Sequence, residues 1–458
     1  MSHFSVDRSR SNQKYLRNRH RLTRFKTEVD NNSSDVEQLE VEFRHLPACL
    51  REQDLVLAIN GAMAGSFALG ERAGFWQIEK GEQGVAEMFE EVETYLENDF
   101  IPLMRGKDDP ESLQDYLHTD RPMLGLRVIS FKDATLVTLS CSHLLFDGLG
   151  RKAVMAAWSS VLHGREEKIM DLQGVFEDPL ARLGTQAEVR YKHELRVMGL
   201  RQLVMFGIRA LLRRTFFKSD VKDYVVCVPD FHMGKLRRSA IEDIANTSNA
   251  PAVAPFLSDS DILCAWWSRY LASCTSKKAT DTFVINTLLG LRKILTPELL
   301  RPENPYVSNA IMMMPTFVTA AELRTKSLGE VALSLRQTIE QLSTRAQVEA
   351  RFSLDRAWQQ RTGHPALYGD PWMRMVICTN WIKSKIYDVD FSPALLDKKS
   401  SDSDAVCPTY TQLHAIVQDF DLINGFAISK DADNNYWIYS QLDTKHRSKV
   451  EQMLFEEA

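Results

Sequence analysis

The sequence has no uninterrupted apolar run approaching the ~18–20 residues that a helix needs to cross a bilayer, so no stable membrane insertion is expected. It also has neither GxGxxG nor a P-loop, the glycine-rich signatures that cradle nucleotide phosphates. No pair of cysteines or histidines has metal-ligand spacing, so no metal site is expected. The seven cysteines (Cys49, Cys141, Cys227, Cys264, Cys274, Cys378, Cys407) are scattered, odd in number and mostly inside apolar runs. That distribution reads as free thiols of a cytoplasmic protein, not as a disulfide framework. A net charge of −5 supplies no global pull towards nucleic acid.

What is present is ordinary in composition, 44% hydrophobic and 26% charged, and long. A chain of 458 residues exceeds what one core usually supports, which predicts two domains. The N-terminus is unusual. Arg8, Arg10, Lys14, Arg17, Arg19, Arg21, Arg24 and Lys26 occur there without one acidic residue. Residues 1–30 read as a mobile basic arm, with a transit peptide as the second reading.

Alternating and helical patterns then succeed one another. A helix is predicted over 86–104. "LGLRVISF" and "LVTLSCSH" read as two strands joined by "KDAT". Val137, Leu139, Cys141 and His143 share one face of the second strand. A helix follows Gly148, with an apolar stripe of Val154, Ala157, Trp158, Val161 and Leu162. Residues 31–180 form the first predicted domain. Residues 181–222 form a helical crossover, its stripe of Leu200, Leu203, Val204, Ile208, Leu211 and Leu212 packed between domains. A membrane-surface helix is the second reading of that stripe. Residues 223–458 form the second domain, where Ser258 is a candidate N-cap with Asp261 three residues later. "DTFVINTLLGLRKIL" reads as a strand entering a polar loop, and "NAIMMMPTFV" as a further strand. A helix carrying Leu328, Val331, Leu335, Ile339 and Leu342 follows. "RMVICTNWI", "KIYDVDF", "HAIVQDF", "GFAISK" and "YWIYSQL" read as strands, and "TKHRSKVEQMLF" as a closing helix. The fold class is α/β, with mixed sheets covered by helices.

"SHLLFDG", at the junction of strand and helix, resembles the HxxxDG motif of the BAHD acyltransferases, relatives of chloramphenicol acetyltransferase. "SDSDILCAWWSR", "LLGLRKIL", "PYVSNAI" and "CTNWIKSKIYDVDF" match further family segments in the family's order. The flavour is that of the fungal branch containing trichothecene acetyltransferases. The family's DFGWG stands here as Asp390, Phe391, Ser392, Pro393, Ala394, without its glycine–tryptophan part.

The resemblance implies two chloramphenicol-acetyltransferase-like domains with the active site between them. It implies transfer of an acyl group from acyl-CoA, a co-substrate, to a small-molecule hydroxyl or amine by a monomer with no bound cofactor. It casts His143 as general base, a role suited to a side chain that titrates near neutral pH. Asp147 pairs with Arg292 in support of the loop, and Gly148 permits a tight turn or close backbone approach. Thr379 and Trp381 are oxyanion donors, Asn309 lines the acceptor side, and Asp390 and Phe391 are structural. Two alternatives stand beside this. One is a carrier-protein donor or condensation on the same fold, although a condensation domain carries a second histidine where this chain has Ser142. The other is non-acyl binding or rearrangement in the same pocket.

Overall fold

The computed structural model describes residues 135–216, 221–246, 255–394, 405–408, 410–416 and 423–457, with the pieces 38–40, 55–62, 93–95, 109–110, 113–117 and 123–130. The basic arm, residues 132–134 of the "KDAT" turn and Cys49 lie outside them. In chain order the first strands are β1 (Gln38–Glu40), β2 (Leu55–Ala62) and β3 (Glu93–Tyr95). Helix α1 (Leu113–Leu117) precedes β4 (Leu124–Ser130), β5 (Thr135–Ser142) and helix α2 (Gly148–Leu162). A long connection carries α3 (Leu200–Phe216) into β6 (Val221–Val228), α4 (Asp230–Ala245) and α5 (Asp259–Thr275). Then come β7 (Thr282–Gly290), the one-turn α6 (Arg292–Leu295), β8 (Ile311–Thr319), α7 (Ala320–Thr325), α8 (Leu328–Leu342) and α9 (Arg345–Thr362). The chain closes with β9 (Arg374–Asn380), β10 (Tyr410–Ile416), β11 (Ile423–Lys430), β12 (Tyr436–Asp443) and α10 (Thr444–Glu457).

Two mixed sheets result. The described strands of the first run β1-β4-β5-β2-β10, those of the second β3-β6-β12-β11-β9-β7-β8. Sheet membership does not follow chain order: β10 lies parallel to β2, and β3 lies antiparallel to β6. The β4–β5 pair is an antiparallel ladder, as the alternation requires. Val137 and Leu139 do share a face, packing with Met155 and Trp158 of α2 and with Phe391. The second sheet is covered on both sides. Phe283 and Ile285 of β7 pack with α4, α5 and α8, and the intervening Val284 packs with Phe206 of α3. Helix α5 begins with the capping box foreseen: Ser258 accepts from the Asp261 amide, and Asp261 accepts from the Ser258 backbone.

Four expectations are corrected. The helix over 86–104 fails at Glu93–Tyr95, which pair with Val225–Cys227 as strand β3; its other residues lie outside those described. "KIYDVDF" forms no strand: it contains one short 3-10 turn, Ile386–Asp388, and a second, Ser392–Ala394, follows it. Lys385 just before them has φ +50°, which breaks an extended run. In α2 the buried row is Gly150, Arg151, Met155 and Trp158, and Val161 is exposed. In α3 five of the six foreseen stripe residues face outward, and only Leu203 of them meets the sheet, together with Phe206 and Ala210.

Candidate active site

Strand β5 ends at Ser142, and four residues of turn carry His143 to Phe146 before Asp147 caps α2. The Asp147 carboxylate is 2% exposed and saturated with donors. One oxygen accepts from the amides of Leu149 and Gly150 at 3.0 and 2.9 Å, the unpaired donors of the helix N-terminus. The other accepts from the Ala310 amide and from Arg292 Nη1, both at 2.9 Å. Arg292 Nη2 reaches the first oxygen at 2.9 Å, so the pair is two-pronged. Arg292 Nε and Nη2 also donate to the carbonyls of Tyr306 and Ser308, both at 2.8 Å. Asp147 and Arg292 are thus brought together, and the carboxylate is committed away from the imidazole.

His143 is partly buried. Asn309 Nδ2 donates to its backbone carbonyl at 2.7 Å and to that of Leu144 at 3.3 Å. Asn309 therefore holds the loop that carries the histidine, while its Oδ1 is buried without a partner. The imidazole hydrogen-bonds to its own backbone carbonyl, which leaves the second ring nitrogen to accept a proton. Burial, then the charge of Arg151, pushes its pKa below the ordinary histidine value, outweighing that hydrogen bond and the pull of Asp147. The ring is neutral at neutral pH.

Arg151 was not foreseen. It is 3% exposed, and its Nε and Nη1 are enclosed without hydrogen-bond partners. Its guanidinium lies over the Trp381 indole, 4.1 Å from the ring centroid. A sequence signal existed: a cation in the first turn of a helix opposes the macrodipole, and such a mismatch asks for another reason. Trp381 Nε1 donates to Thr379 Oγ1 at 3.1 Å. The indole N–H is therefore occupied, and the Thr379 hydroxyl, already accepting, retains its own proton to donate.

Gly148 does not play the part expected of it. A Cβ there meets nothing within 4 Å, whereas one at Gly150 falls 1.8 Å from the Val307 carbonyl oxygen. The close approach that seats α2 against the 306–310 loop belongs to Gly150. Asp390 and Phe391 sit at the far end of α2. Asp390 accepts from the amides of Ser392 and Val406 and contacts His163 Nε2 at 3.0 Å. Phe391 packs edge-on against Trp158, with ring centroids 5.1 Å apart. Neither joins the His143 cluster. Among the described residues no cluster of histidine, cysteine or carboxylate has the arrangement to hold a metal.

The family described as "Transferase family" matches residues 61–394, well over half of the chain. The acetyltransferase adrJ of Penicillium rubens is 33% identical over 367 residues, covering 78% of this chain and 73% of that protein. A protein of Penicillium decumbens named transcriptional regulator calD is 31% identical over 367 residues, 79% of this chain and 73% of that one. The fold matches F. sporotrichioides TRI101, solved with coenzyme A and T-2, with a TM-score of 0.53. That likeness, at 14% identity over 72% of this chain and 68% of TRI101, concerns the fold alone. The chain belongs to the transferase family and is an acyltransferase of the BAHD type.

Proposed function

We propose that the protein transfers an acetyl or longer acyl group from acyl-CoA to a hydroxyl or amine of a small-molecule natural product, with His143 as general base. The free ring nitrogen of His143 takes the acceptor's proton as the acceptor attacks the thioester carbonyl carbon. A carbon–oxygen or carbon–nitrogen bond forms, and the carbonyl becomes an oxyanion. The Thr379 hydroxyl donates to that oxyanion, since it accepts from Trp381 and keeps its own proton to give. When the carbon–sulfur bond breaks, the imidazolium returns the proton to the thiolate, giving ester or amide and free coenzyme A.

The observation that carries this reading is an imidazole carried on a loop that is fixed at both ends. Asn309 grips its first carbonyls, and the Asp147–Arg292 pair anchors its last residue. Asp147 and Arg292 are structural supports in this account, and Asp390 and Phe391 brace α2 from the other side. The test is intact mass of hydroxylated and amino small molecules after incubation with acetyl-CoA and longer acyl-CoAs. A mass gain of one acyl group with stoichiometric free thiol supports the reading. Acylation only from carrier-protein thioesters contradicts the donor. Thr379→Val is expected to lower kcat by about 10²–10³ in a folded protein, and an unchanged kcat removes Thr379 from the mechanism.

A further inference from the structure

Helix α3 is apolar on two sides. Leu203, Phe206 and Ala210 pack inward against Val284, Met373, Met375 and Ile377. Arg209 ties the same side down, with Nη1 donating to the carbonyls of Pro371 and Met373 at 2.9 and 3.0 Å. The outward side is nevertheless apolar: Leu200, Val204, Ile208, Leu211, Leu212 and Phe216 are all exposed, Leu211 at 62% and Phe216 at 71%. At 3.6 residues per turn these six fall within an arc of about 160°. Trp372, 65% exposed, lies beside the helix, its ring 5.8 Å from the Arg209 guanidinium. Soluble surfaces rarely present so much contiguous apolar area without an occupant.

The charges along the helix sequence have one sign, and the carboxylates within electrostatic reach of Arg209, Asp370 and Asp281, come from other segments. From Met198 to Ser219 the chain carries Arg201, Arg209, Arg213, Arg214 and Lys218 and no aspartate or glutamate. A second copy docked symmetrically through this helix would set those cations against themselves, because an isologous contact brings like patches together. An anionic bilayer surface meets both demands, acyl chains for the apolar arc and headgroups for the arginines. Spanning is not required, and among the described residues no helix is long and apolar enough to cross a membrane. We propose that α3, with Trp372, docks the protein on the surface of an anionic lipid bilayer, the helix lying in the interfacial plane.

The experiment is flotation of the full chain with phosphatidylcholine vesicles, with and without one quarter phosphatidylglycerol. The wild type is compared with I208E/L211E and R213E/R214E. The wild type is expected to float with the anionic vesicles and to be released by high salt. R213E/R214E should bind on the order of tenfold more weakly, or worse, because it reverses two charges that attract the anionic surface, and I208E/L211E likewise, because it sets two carboxylates in the apolar arc. No flotation of the wild type overturns the proposal. So does wild-type flotation that I208E/L211E leaves intact, since the basic N-terminal segment alone would then suffice. Light scattering closes the remaining routes: a dimer that I208E/L211E converts to monomer makes the face a self-interface. A variant that loses several degrees of melting temperature, beside a wild type that does not float, shows the face covered by the chain itself. The assay measures no acyl transfer, so its outcome is independent of the proposed reaction.

Discussion

Asp147 and Arg292, 145 positions apart, face one another through two 2.9 Å contacts that join the loop after β5 to the helix after β7. Removing either partner strands a buried charge, at a cost of about 3–5 kcal/mol. Asp147→Ala and Arg292→Ala are each expected to lower the melting temperature and the rate together. The double variant is expected to be less damaged than the sum, because the shared contact is lost once. A double-mutant cycle by chemical denaturation measures this. An Asp147→Ala protein that is slow but as stable as the wild type would instead make the aspartate an orienting member of a triad.

The two glycines of the motif should behave differently. Gly150→Ala forces a Cβ against the Val307 carbonyl oxygen and must displace α2 or the 306–310 loop. It is expected to destabilise by about 1–3 kcal/mol, the usual cost of overpacking. Gly148→Ala enters open space and is expected to be tolerated. Thermal melts of the two variants give the order, and equal melts contradict the packing seen here.

Arg151 bears on the pH dependence. Burial first, and Arg151 second, hold the His143 pKa below its ordinary value of about 6.5, so the base stays competent into mildly acid solution. The acid limb of kcat/KM is expected below that value. Arg151→Met, which removes the charge and keeps bulk, should move the limb upward, and Arg151→Lys should move it less. Stability follows the same sign. Below pH ~6.5 the unfolded histidine binds a proton that the folded one refuses, so stability falls as pH drops through that window. An Arg151→Met profile that coincides with the wild type contradicts the assignment.

Local pattern made part of this legible. The β4–β5 pair, the placement of His143 where the strand ends, and the Ser258–Asp261 capping box each depend on a few consecutive residues. So does the α8 stripe, with Leu328, Val331, Leu335 and Leu342 all buried. Other features depend on distance along the chain. Nothing near Tyr410 tells that β10 will lie beside β2, and nothing near Glu93 tells that β3 will pair with β6. Helix α3 misled because it is apolar on two sides, and periodicity cannot choose between two apolar faces. Gly150 was passed over for Gly148 because the obstacle, the Val307 carbonyl, comes from a segment 157 residues downstream. The match of "LLGLRKIL" and "PYVSNAI" to family segments did locate Arg292 and Asn309. It did not give the use of the Asn309 amide on the His143 backbone, which comes from two segments 166 residues apart.

The central claim is that His143 moves the proton in acyl transfer. The most direct measurement is the turnover of His143→Ala with acyl-CoA and an acceptor acylated by the wild type, on protein whose melting temperature matches the wild type. The account predicts a kcat lower by about 10²–10⁴ with the fold intact. Near-normal turnover in that folded variant would contradict it.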